Sequence, residues 1–100
     1  ITLPTLPNTD AGRQAQATLA RNFYRLWFSH PGVEAITWWN LPDGAALAGE
    51  DQWNGGLVNP DFSPKPAYRA LDKLLNEDWK TKRTTPSDGQ GIVAFRGFYG

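Results

Sequence analysis

One hundred residues suffice for one small domain or a piece of a larger one, and 40% of them are apolar and 13% aromatic, enough for a core. Ten basic and ten acidic residues cancel, so no cationic excess is left to hold phosphates, which argues against nucleic acid as a partner. No apolar run long enough for a membrane span is present, and the absence of cysteine excludes a disulfide framework and a thiolate metal site.

The chain opens on Ile1-Thr2-Leu3, a short extended run ended by Pro4 and Pro7. No signal peptide precedes it, so a fragment or a processed chain is expected. Asn8, Thr9 and Asp10 are helix-capping residue types. From 10 to 29 the apolar positions Ala11, Ala15, Leu19, Phe23, Leu26 and Trp27 recur at helical spacing, which predicts an amphipathic helix with that stripe inward. His30-Pro31-Gly32 ends it, because the residue before proline is pushed out of the helical region.

Residues 33–39 are nearly continuous in hydrophobicity, the pattern of a strand buried on both faces of a parallel sheet. Strand, helix and strand make a βαβ unit. Residues 40–61 form a long loop rich in Gly, Asn and Asp, of a length that usually carries function. Ser63 then reads as the N-cap of a second helix with Pro64 at its first position. Ala67, Leu71, Leu74 and Leu75 give its buried stripe, and it ends near 76–79. Beyond Trp79, the runs 79–84 and 92–96 are separated by the turn signal Pro86-Ser87-Asp88-Gly89 and predict a β-hairpin.

Five tryptophans exceed what a small core needs. Two of them, Trp38 and Trp39, close the second strand, where a β/α protein delivers its chain to the ligand-facing loops. Successive strand residues face opposite ways, so Trp38 is expected to pack beneath the helices while Trp39 faces out. A lone histidine, His30, gives no metal site, and no cofactor motif is present. Glu34, Glu50 and Asp51 do not assemble into an acid/base pair by sequence position.

The order Ile36-Thr37-Trp38-Trp39-Asn40-Leu41-Pro42-Asp43, then Trp53, then Pro64-Lys65-Pro66-Ala67-Tyr68 resembles the C-terminal end of the family-10 glycoside hydrolases, endo-β-1,4-xylanases built on a (β/α)8 barrel. The resemblance covers nearly the whole chain, with His30-Pro31 and the tail 79–100 included. It implies an α/β fold: the C-terminal βαβα portion of a TIM barrel plus a short β-hairpin tail. Residues 1–79 would be the end of strand 7, helix 7, strand 8 and helix 8, and 80–100 the hairpin extension. Two strands cannot close an eight-stranded barrel, so the remainder of the barrel or self-association is expected as a partner.

The resemblance further implies substrate-binding roles for Trp39, Trp53, Asn40 and Asp43, toward xylan or a xylo-oligosaccharide. Trp39 would stack on the sugar beside the cleaved bond, Trp53 would close over it, and Asp43 would organise the loop. Two departures stand out: Asn40 occupies a position where the family carries glycine, and 44–51 looks like an insertion. Retention in that family needs two glutamates about 5–5.5 Å apart. Both would lie upstream of Ile1, so this chain holds no catalytic residue and is expected to be inactive alone. The alternative is a non-catalytic polysaccharide-binding module, disfavoured by two long helices. The compartment stays open, with a secreted or periplasmic parent enzyme implied by the resemblance alone.

Overall fold

The computed structural model describes residues 1–98. Helix α1, Asp10–Phe28, is capped by Thr9, whose side chain accepts from the Gly12 N–H, and Asp10 adds a negative charge to the positive end of the helix dipole. It stops at Ser29, whose hydroxyl and N–H turn back on the last carbonyls, and His30-Pro31-Gly32 then make a turn in which the Val33 N–H donates to the His30 carbonyl.

Helix α2, Pro66–Lys73, runs on into a widened turn at Leu74–Asp78. Its start differs from the sequence expectation. Lys65, in extended conformation, is the N-cap, and Pro66 rather than Pro64 takes the first helical position. Ser63 instead belongs to the preceding turn, where its N–H and hydroxyl donate to Asp61.

The two helices pack together around Ala20, Tyr24, Leu71 and Leu74, with Leu3, Trp27, Ile36, Trp38, Leu57 and Trp79 closing the edges. On α1 the inward face is Gly12, Gln16, Ala17, Ala20 and Tyr24. The expected stripe is therefore rotated: Leu19, Phe23 and Leu26 look outward, with Leu26 60% exposed. Both stripes repeat at helical spacing, and α2 covers the one rich in small residues. Trp27 packs against the side of the core, meeting Tyr24 at 6.1 Å, and stacks on the outward Phe23 at 5.3 Å.

The expected α/β architecture is corrected here. Among the described residues there is no β-strand, and the regular elements are helical. Residues 33–39 are outside any regular element. Beyond the turn in which the Val33 N–H donates to the His30 carbonyl, their backbone hydrogen-bond partner among the described residues is Ile1, which donates to the Thr37 carbonyl and accepts from the Trp39 N–H. That is a single rung, and a ladder needs partner strands along an edge. The βαβα barrel portion and the barrel remainder it would require are thus not what this chain forms. Residues 80–98 likewise form no hairpin ladder. They turn at Asp88, whose carboxylate accepts from the Gln90 and Ile92 N–H groups, and Tyr99 and Gly100 lie outside the described residues.

Isolated bridges join Pro42 to Val58 and Val58 to Pro64. They lash the long loop to the start of α2. The radius of gyration is 17.7 Å, against about 13 Å for a compact chain of this size. Nearly every residue from 80 to 98 is exposed.

Candidate functional site

Proline at 66 fixes where α2 begins, and so fixes where Lys65 sits: directly beneath the loop. Lys65 is 0% exposed. Its ammonium donates to Thr5 Oγ1 at 3.0 Å, to the Asn54 and Gly56 carbonyls at 2.9 Å each, and pairs with Asp43 Oδ2 at 3.0 Å. An ammonium has three N–H donors and no acceptor, so a ring of oxygen acceptors is the surrounding it requires when buried. Burial pushes the Lys65 ammonium below the ordinary lysine value, and the hydrogen bond and charge of Asp43 act in the opposite direction.

Asp43, 7% exposed, also accepts from the Gly56 N–H at 2.8 Å. Thr5 donates through its hydroxyl to the Asn54 carbonyl and through its N–H to the Trp53 carbonyl. Gln16 reaches from α1 to the Leu3 and Gly56 carbonyls. The indole N–H of Trp38 donates to the Gly55 carbonyl at 3.1 Å. Four separate stretches of chain thus converge on the turn 54–56. Gly56 is required there: a Cβ would sit 2.7 Å from the Asp43 nitrogen and 2.8 Å from the Leu41 carbonyl oxygen.

Above this buried clamp the loop presents its aromatic surface. Trp39 is 54% exposed and Trp53 46%. The Trp39 indole N–H donates to Glu50 Oε2 at 3.2 Å, and Asn40 Nδ2 reaches the same oxygen at 3.5 Å. Asn40 holds φ +66°, and Asn54, which follows the short 3-10 turn Asp51–Trp53, holds φ +45°. Asparagine tolerates this left-handed region better than most residues. Asp51 supports the loop by accepting from the Ala46 N–H.

Of the four residues singled out by sequence, Trp39 and Asn40 share Glu50 as a partner. Trp53 lies on the turn held from below, and Asp43 lies within the clamp rather than on the surface. Sequence reasoning missed Lys65, Thr5, Gln16 and Glu50. The Pro-Lys-Pro spacing was the one available signal for Lys65, since it marks a helix start without showing where the side chain goes.

No protein-family model matches the chain. Among curated proteins it is similar to the anti-sigma-I factor RsgI6 of Acetivibrio thermocellus, 39% identical over 79 residues. The match takes in 79% of this chain and 10% of that protein, so the chain spans about a tenth of the relative's length. The resemblance to family-10 glycoside hydrolases is corrected by these findings. The relative bears the name of an anti-sigma factor, and no strand or barrel is present among the described residues. The xylanase assignment falls with it, as do xylan or xylo-oligosaccharide as partner, self-association as a barrel piece, and the alternative of a polysaccharide-binding module. No helix among the described residues is long and apolar enough to cross a membrane.

Proposed function

We propose that this chain is a docking segment of a regulatory protein of the anti-sigma-I type, and that it contributes a protein-binding face rather than a reaction. The observation that carries this reading is the 39% identity over 79 residues to an anti-sigma-I factor. The partner is a sigma factor. The contact face is the loop surface of Trp39, Asn40 and Trp53, with Asp43 acting from beneath as the residue that fixes its shape. Exposed tryptophans on a rigidly held loop are good anchors, because little side-chain or loop freedom is lost when they are covered. The division at 79/80 belongs to the same reading, with 1–79 as the packed unit and 80–100 as an extension.

The test is isothermal titration of the chain against the sigma factor that the intact regulatory protein binds. A saturable complex is expected, weakened at least about tenfold by Trp39→Ala with Trp53→Ala, in line with hot-spot tryptophans. Binding by the intact protein with none by this chain would place the sigma-factor surface elsewhere. Retention of the chain on insoluble xylan would reverse the correction made above.

A further inference from the structure

The net charge of zero conceals a division. Lys80, Lys82, Arg83 and Arg96 lie after Trp79, against one acidic residue there, Asp88, which gives 80–98 a net charge of +3 and leaves 1–79 at −3. The four cations line one open groove of about 520 Å³ with Thr81, Gly97 and Phe98. The ion pairs among the described residues are Lys65–Asp43 and Lys73–Asp78, so among those residues none of the four cations is paired with a carboxylate. Asp88 is not among the residues that line the groove; its Oδ1 accepts from the Gln90 and Ile92 N–H groups of its own turn, at 2.8 and 2.9 Å. Phe98 N–H donates to Thr81 Oγ1 at 3.1 Å and holds the two walls together.

A second cavity of about 450 Å³ adjoins the first and shares Lys80, Thr81 and Phe98 with it. Its other walls include Phe28, Leu75 and Trp79. Phe28 stacks on Trp79 at 4.1 Å and meets Phe98 at 5.8 Å. A cationic trough therefore runs directly into an aromatic one.

We propose that this double groove binds an acidic polypeptide segment in which carboxylates alternate with apolar side chains. Carboxylates would face Lys80, Lys82, Arg83 and Arg96, and the apolar side chains would enter the Phe28–Trp79 cavity. Charge complementarity selects the occupant. A nucleic acid fits less well, because its evenly charged backbone would run on past Glu77 and Asp78 and over a body of net negative charge. The inference stands apart from the sigma-factor reading: it uses a different surface, and failure of either leaves the other measurable.

The test is fluorescence anisotropy of a labelled peptide of alternating Glu and Leu, titrated with the full chain. Its Gln-for-Glu counterpart and a single-stranded oligothymidylate serve as competitors. Binding of the Glu peptide is expected to weaken steadily with added salt, as exposed charge contacts are screened. Lys82→Glu with Arg83→Glu should weaken it by about tenfold or more, since two attractive exposed contacts become repulsive. Lys82→Gln with Arg83→Gln should give a smaller loss in the same direction, and Arg21→Glu on exposed α1 no change. Equal binding of the Gln peptide, or reversal variants that bind normally with an unchanged circular dichroism spectrum, would overturn the proposal. Displacement of the Glu peptide by oligothymidylate at lower concentration than by itself would overturn it in favour of nucleic acid.

Discussion

Replacing Lys65 by methionine keeps most of the buried stem and removes the ammonium. The consequences differ among its partners. Thr5 Oγ1 still donates to the Asn54 carbonyl at 2.8 Å, and the Gly56 carbonyl keeps Gln16 Nε2 at 3.3 Å. Asp43 keeps only the Gly56 N–H, at 2.8 Å, while 7% exposed. The uncompensated group is therefore a buried carboxylate, and breaking a buried pair from one side costs about 3–5 kcal/mol. That is a large part of the roughly 5–15 kcal/mol that holds a typical domain folded. Adding Asp43→Asn removes the stranded charge and leaves an oxygen for the Gly56 N–H, so the double variant should lose only about 1–3 kcal/mol, the range for imperfectly paired buried polar groups. Urea unfolding followed by tryptophan fluorescence gives all three values. A Lys65→Met variant within about 1 kcal/mol of the parent, or a double variant no more stable than Lys65→Met, would show that the pair is not coupled in this way.

Gly56→Ala should destabilise by about 1–3 kcal/mol, the usual cost of forced overpacking, because the new Cβ meets backbone atoms of 41 and 43 that no rotamer change can clear; the midpoint of the same urea curve reports it. Burial raises the Tyr24 phenol above its ordinary value of 10.0. The folded chain thus keeps that proton to higher pH than the unfolded one. The contribution is complete below pH 10.0 and is lost as pH rises through the folded value. Lys65 has the opposite sign, since its lowered value makes stability rise with pH just below 10.5. Melting temperatures of Tyr24→Phe and the parent, compared across alkaline pH, isolate the tyrosine: the parent should lose stability relative to the variant, and parallel curves would contradict the assignment.

Helix α1 was legible because its signals are local: Thr9 at the cap, Asp10 in the first turn, apolar residues at helical spacing and His30-Pro31 at the end. Its inward face was not. Leu19, Phe23 and Leu26 form as good a stripe as Ala17, Ala20 and Tyr24, and only the placement of α2 decides between them. Residues 33–39 have strand composition, but a ladder depends on partners elsewhere in sequence, and here Ile1 alone supplies a rung. The candidate site divides in the same way. The exposure of Trp39 and its opposition to Trp38 follow from alternation along an extended segment. The burial of Lys65 does not, because its partners stand at 5, 43, 54 and 56 and nothing adjacent to it distinguishes a buried lysine from a solvated one. In the sequence Glu50 is one of three carboxylates that form no acid/base pair, and its role as acceptor for Trp39 and Asn40 appears only once the loop doubles back.

The reach of the Lys65 clamp bears on the order of events during folding. Thr5 and Lys65 are 60 positions apart, so their contact closes a long loop whose entropy must be met before the contact stabilises anything. The helices can form locally and early. The clamp can close only after α2 has begun, which on the ribosome means after Lys65 has emerged. Until then the turn 54–56 has no cation beneath it, and the tryptophan surface it supports is unformed. The tryptophan surface is therefore a late product of folding, assembled by a contact that spans 60 positions rather than by the helices.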